Sequence, residues 1–208
     1  MADAGPFARR RLARGPRVYL RAPTLRDREE FLALSRASVS FYRGLASSPS
    51  TPRAFTAYVE RSRRPDYVGI LVCRREDDRI VGCVNLSQIV RGTFQSAYMG
   101  YQVFAPFARQ RYMTDAMPLV LRVIFQQLRL HRVEANVQPT NTASIAVVRR
   151  AGFVKEGYSQ RYLKISGRWR DHERWAITAE LWAEVRVTKS RIHQLQLTKS
   201  PTRQITNC

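Results

Sequence analysis

One stretch constrains this chain more than any other: His131–Gly157, HRVEANVQPTNTASIAVVRRAGFVKEG. Val133, Ala135 and Val137 alternate with Glu134, Asn136 and Gln138, the period of a strand with two unlike faces. Pro139 has no N–H for a ladder and ends the strand. Asn141 suits a helix N-cap, because its side-chain oxygen can accept from orphan N–H groups one turn on. Ile145, Val148 and Ala151 form an apolar stripe at helical spacing, and Arg149 and Arg150 sit where the helix dipole favours cations. Gly152 then falls at the C′ position that takes positive φ. The stretch therefore reads as strand, loop, helix, strand.

The rest of the chain supplies partners for that unit. Val18–Arg21 reads as a first strand, and Thr24–Asp27 offers caps for a helix to about Ala37. Phe41–Pro49 is a loop in which Phe41 and Tyr42 are candidates for the core or a substrate wall. Ser50 or Thr51, together with Pro52, starts a second helix, ending near Arg63. Tyr67–Arg74 and Arg79–Ile89 are strands joined by the polar turn Arg75–Asp78. A turn at Arg91-Gly92 leads into Ser96–Phe104. Tyr162–Ile165, Ser166-Gly167 and Trp169–Ala179 form a last hairpin. Three antiparallel strands followed by helix, strand, helix and a strand pair predict an α+β domain with a mixed sheet. The expected division is a basic arm over 1–16, a domain over 17–183 and a polar basic extension over 184–208.

The chain carries 36 Lys and Arg against 16 Asp and Glu, a formal charge of +20 that favours polyanionic partners. Arg9, Arg10, Arg11 and Arg14 form one cluster, Arg61, Arg63 and Arg64 another, and Lys189, Arg191, Lys199 and Arg203 lie in the extension. A solvated basic surface and a ribosome- or RNA-facing one both fit this pattern. No RNA-binding motif accompanies it. No apolar run reaches the ~18–20 residues of a membrane span. Cys73, Cys83 and Cys208 have no metal-ligand spacing, and an odd number argues against a disulfide framework, so a reducing cytoplasm and no metal are expected.

Asn141-Thr-Ala-Ser144 followed by Arg150-Ala-Gly152-Phe153 and Glu156-Gly157 resembles the second cofactor segment of the GNAT acyltransferases. Gly167-Arg-Trp169-Arg170-Asp171-His172 resembles their ribosomal-protein N-terminal acetyltransferase branch, the RimJ/RimL type. The likeness runs from about Val18 to about Trp182. It implies a twisted mixed sheet of about seven strands flanked by about four helices, its middle strands splayed to admit the pantetheine arm of acetyl-CoA. Backbone N–H groups of Gln102, Val103 and Phe104 would then meet that arm and polarise the thioester carbonyl. The pyrophosphate would rest on Arg109, Gln110, Arg111, Tyr112, Met113 and Thr114, at a helix start. Asn141 would bond the pantetheine amide and Ser144 would protonate the leaving thiolate. As an N-cap, Asn141 needs no ligand to explain it.

Two departures from the family pattern matter. Arg111 stands where the family has a glycine whose missing Cβ lets phosphate approach the backbone. Pro118 falls inside the expected helix, where it removes a hydrogen bond. Either Arg109 and Arg111 replace backbone contacts with guanidinium–phosphate pairs, or the cofactor turn is impaired.

Glu134 is the first candidate for the general base, with Glu156, Tyr158 and Tyr162 as further ones. Leu163 stands where some relatives carry a carboxylate. Trp169–Glu173 would lie near the acceptor, with His172 able to shuttle a proton. An α-amine of pKa ~7.7–8.0 is partly neutral at physiological pH and asks little of a base. The expected function is acetyl-CoA-dependent transfer to a protein N-terminal amine, a ribosomal protein being the foreseen acceptor, by direct attack without a cysteine intermediate. A small-molecule amine and a non-catalytic ribosome- or RNA-associating role are the alternatives. No membrane partner is expected, and monomer and dimer are both open.

Overall fold

The computed structural model describes residues 11–45 and 48–198; Arg9, Arg10, Lys199, Arg203 and Cys208 lie outside the described residues. The strands are β1 (Arg11–Arg14), β2 (Val18–Arg21), β3 (Tyr67–Arg74), β4 (Ile80–Val90), β5 (Ser96–Val103), β6 (Arg132–Val137), β7 (Val154–Ile165) and β8 (Arg168–Thr178). The helices are α1 (Arg28–Ala37), α2 (Pro52–Arg61), α3 (Tyr112–Arg122), α4 (Thr142–Ala151) and α5 (Ala179–Thr198). All eight strands form one sheet in the order β1-β2-β3-β4-β5-β6-β8-β7. The β5–β6 pair is parallel and the other neighbours are antiparallel.

Local chemistry sets the helix limits. Thr51 accepts a hydrogen bond from the Ala54 N–H at 3.2 Å, and Pro52 occupies the first turn of α2, where its missing N–H costs nothing. Asn141 accepts from the Ser144 N–H at 3.1 Å, and Gly152 closes α4 at φ 99°, both as the sequence pattern dictates. Before α1, Asp27 accepts from both terminal nitrogens of Arg21 at 2.8 and 2.7 Å and from the Thr24 N–H at 2.7 Å. That bidentate pair ties β2 to the helix entry.

The core lies on both faces of the sheet. Phe31 of α1 meets Phe55 of α2 at 4.9 Å and Phe104 at 5.2 Å on one side. Met117, Val120 and Leu121 of α3 are buried on the other. Pro118 does fall inside α3, on its exposed side, where the carbonyl it leaves without an N–H stays within reach of water. The helix then widens into a π turn over Val123–Gln127, closed by Leu128 N–H on the Val123 carbonyl at 2.9 Å.

Both ends differ from the expected outline. Part of the basic arm forms β1, with Ala13 opposite Leu20, Arg14 opposite Tyr19 and Leu12 buried, so the sheet has eight strands rather than about seven. The expected boundary at 183/184 falls inside α5, a fifth helix whose Trp182 packs on Phe125 at 5.2 Å.

The feature that positions the site is a break in the sheet. β5 and β6 pair at Ser96↔Arg132, Ala97↔Val133 and Tyr98↔Glu134, and no further. Beyond Tyr98, β5 runs on to Val103 and β6 to Val137 without a partner between them. The middle strands are splayed.

Candidate active site

A cavity of about 480 Å³ fills the splay. Gly100 lies on its wall, and no atom lies within 4 Å of where a Cβ would stand, so the missing side chain keeps the floor open. The walls come from two faces of the sheet. Gly69, Asn85 and Gly100 stand opposite one another across β3, β4 and β5, and Gly69 faces Tyr58 of α2. Tyr98 shares that face with Gly100 by alternation, as do Asn136, opposite Arg174, and His172, two residues before Arg174. Tyr101 points the other way, toward α4, where its hydroxyl lies 2.7 Å from Ser144 Oγ and donates to the Ser144 carbonyl at 3.0 Å. The cavity therefore has an α4 side, with Tyr101, Asn141 and Ser144, and an α2 side, with Tyr98, Asn136 and His172.

The strand-edge donors differ from the expected set. The Phe104 N–H donates to the Val81 carbonyl at 2.9 Å, and its ring is buried against Phe31, so Phe104 offers nothing to the gap. Strand N–H groups alternate in direction, which turns Gln102 toward β4 as well, opposite Cys83. Tyr101 and Val103 remain as the gap-facing amides. Val103 is already engaged: its N–H donates to the Tyr42 hydroxyl at 3.1 Å, and that hydroxyl donates to the Val103 carbonyl at 2.7 Å. Burial pushes the Tyr42 phenol up to about 12, so it stays protonated and keeps both bonds.

The expected phosphate turn has an unforeseen backbone. Arg109 and Arg111 both adopt left-handed conformations, at φ 62° and 64°. Arg111 takes the geometry that the family's glycine takes freely, at a cost of roughly 1–2 kcal/mol for a residue with a Cβ. It is also the N-cap residue of α3, and its side chain makes no cap bond. The N–H groups of Tyr112, Met113 and Thr114 thus begin the helix without intrahelical acceptors. Arg109 and Arg111 are exposed and make no ion pair among the described residues. The neighbouring acid, Asp115, is neutralised by Arg17 at 2.8 Å, which also donates to the Gln110 carbonyl. An anion arriving here meets free amides, the positive end of a helix and two unpaired guanidinium groups.

The base candidates separate clearly. Glu134 is not on the cavity wall; its carboxylate accepts from Arg132 Nε at 2.8 Å, and Arg132 also grips Glu156. Glu156 gives both of its oxygens to Arg132 and Glu134 gives one, and neither carboxylate lines the cavity, so the structure does not bring these two base candidates to it. Tyr158 is bound to Asp171 at 2.6 Å. Tyr162 and His172, by contrast, both line the cavity, their rings 6.1 Å apart. Tyr42, foreseen as a candidate for the core or a substrate wall, lines the cavity, as do Tyr98 and Tyr101, which the sequence pattern did not mark; aromatic residues within a strand look like ordinary core.

The GNAT acetyltransferase domain family matches residues 17–154. The chain belongs to the GNAT acetyltransferases. A probable N-acetyltransferase of Bacillus subtilis, YjcK, is 33% identical over 174 residues, covering 80% of this chain and 96% of the relative. The ribosomal protein uS5-alanine N-acetyltransferase of Escherichia coli is 36% identical over 107 residues, 51% of this chain and 55% of the relative. Among solved structures, Mycobacterium smegmatis RimJ in complex with CoA-disulfide superposes with a TM-score of 0.72 at 28% identity, covering 80% of this chain and 87% of that one. This acetyltransferase thus sits in the RimJ/RimL-type branch. Among the described residues, no helix is long and apolar enough to cross a membrane.

Proposed function

We propose that this acetyltransferase moves the acetyl group of acetyl-CoA onto a protein N-terminal α-amine, with a ribosomal protein as the acceptor. The observation that carries the reading is the two-sided cavity at the β5–β6 splay. Its α4 side suits the thioester: Asn141 faces the pantetheine amide, and Ser144, backed by the Tyr101 hydroxyl, supplies a proton to the departing thiolate. The amides of Tyr101 and Val103 supply strand-edge donors for the arm and the thioester carbonyl. The pyrophosphate rests on Arg109, Arg111 and the first turn of α3. The α2 side receives the acceptor.

Transfer is direct, in a ternary complex. Cys83 is buried, and burial pushes its thiol up to about 12; Cys73 is pushed up to about 11. Thiols held protonated are poor acyl carriers. The branch that RimJ and the uS5-alanine enzyme represent supports a ribosomal acceptor, and a net charge of +20 favours encounter with a polyanionic ribosome. Calorimetric titration with acetyl-CoA, followed by mass spectrometry of ribosomal-protein N-termini with and without this protein, tests the reading. Absent cofactor binding overturns it, and acetylation confined to small amines overturns the acceptor.

A further inference from the structure

We infer that His172 is the catalytic base, its Nε2 taking the proton from the acceptor amine, with Asn136 Oδ1 receiving that amine's second N–H. This rests on the reading above and names the acceptor machinery of the same site. His172 is 3% exposed and lines the cavity on the side opposite Ser144. Its Nδ1 lies 3.0 Å from the Arg170 carbonyl, an atom that can only accept. That contact places the ring proton on Nδ1 and leaves the Nε2 lone pair free. Tyr162 packs against the ring, with centroids 6.1 Å apart, and holds the imidazole from the β7 side. Asn136 Oδ1 is buried on the same cavity face and has no hydrogen-bond partner among the described residues. A buried acceptor left empty costs free energy, and an amine N–H supplies the missing partner.

The ionisable groups around the imidazole are Arg170, Asp171 and Arg174 on β8, Tyr162 on β7, Tyr98 on β5 and Tyr42 on the loop; the β6 wall offers only neutral Asn136 and Gln138. Burial keeps His172 below its ordinary value and therefore neutral at physiological pH, ready to accept. The amine lone pair attacks the thioester carbon and the N–C bond forms. The nitrogen becomes cationic and acidic, and its proton passes to Nε2. The C–S bond then breaks, and the thiolate takes the Ser144 proton. Solvent removes the proton from His172 and restores that of Ser144, so the balance is amine plus thioester to amide plus thiol.

The test uses the full chain with acetyl-CoA and a peptide acceptor. H172Q should lose roughly 100-fold in kcat while acetyl-CoA affinity stays unchanged, and H172A should regain activity with added imidazole. An H172Q enzyme within about threefold of wild type in kcat, or an H172A enzyme that binds acetyl-CoA yet ignores imidazole, overturns the assignment and leaves the cofactor reading standing. Should neither variant fold, the wild-type acid limb of kcat is compared with the His172 imidazole titration followed by NMR. Coincidence supports the assignment, and a limb displaced by about a pH unit or more overturns it. A wild-type protein that does not bind acetyl-CoA overturns both.

Discussion

The Tyr42 hydroxyl spans the N–H and the carbonyl of Val103, accepting at 3.1 Å and donating at 2.7 Å, so a loop side chain occupies the strand edge that the pantetheine arm would use. The same loop is pinned to β6 by the Gln138 amide on the Gly44 carbonyl at 3.1 Å. On the proposed reading, Tyr42 is a stand-in partner that the arriving pantetheine amide would displace.

Tyr42→Phe removes that competitor. The variant should bind acetyl-CoA several-fold more tightly, because a neutral hydrogen bond is worth about 1 kcal/mol and need no longer be broken. Without ligand it should unfold at a lower urea midpoint by a similar free energy. Calorimetry and denaturation on the same preparation check both, and weaker cofactor binding would show Tyr42 to be a support instead.

Arg111 links a backbone cost to a charge. Arg111→Gly relieves the left-handed conformation and should raise stability by up to about 1 kcal/mol, the strain relieved being partly offset by glycine's greater chain entropy. The same change should weaken acetyl-CoA binding and flatten its salt dependence, since one guanidinium is lost from the phosphate turn. Thermal unfolding and titrations at two ionic strengths read the two effects separately.

Glu134→Gln and Ser144→Ala should part company. With Glu134 off the cavity wall and one of its oxygens paired to Arg132, Glu134→Gln should leave the pH–rate profile unchanged and act only through local stability. Ser144→Ala should slow kcat by roughly 10²-fold, a typical loss for a positioned proton donor, with smaller losses for thioesters of more acidic thiols. Steady-state kinetics across pH with two acyl donors distinguishes the cases.

Asp27 gives an acid-side signature. Burial alone would raise its carboxyl, but the Arg21 pair and the Thr24 N–H more than offset this and hold it below the ordinary range. A depressed folded-state value means stability that is present above the unfolded value of ~3.9 and is lost as pH falls through the folded one. Asp27→Asn should therefore cost about 2 kcal/mol near neutrality, the worth of a charged hydrogen-bonded pair. It should also lose less stability than wild type between pH 4 and the acid transition. Urea unfolding over that range checks the sign.

How much was legible follows from where each signal lives. Asn141, Gly152, Thr51 and Pro52 act within one turn of themselves, so helix limits could be read directly, and the β6 alternation was equally local. Strand β1 could not be read, because Arg11 and Arg14 bracket the single buried apolar residue Leu12 and only pairing with β2 makes it a strand. Helix α5 lacks a clear apolar stripe and is anchored by Trp182 on Phe125, a long-range contact. Arg109 and Arg111 gave no warning of positive φ, which glycine usually announces. At the site, Asn141 and Ser144 came from a motif, whereas the Glu134–Arg132 pair and the Tyr42–Val103 clasp depend on side chains meeting across the fold.

The parting of β5 and β6 after Tyr98 has a consequence for how the molecule breathes. Amides in mid-sheet are ordinarily the slowest to exchange with deuterium, yet the Tyr101 N–H faces an opening instead of a neighbouring strand, while that of Val103 is held only by the Tyr42 hydroxyl. Exchange at Tyr101 should be as quick as that of a loop in the empty protein and should slow most when cofactor fills the seam, so this edge of the sheet becomes rigid only while the enzyme is loaded.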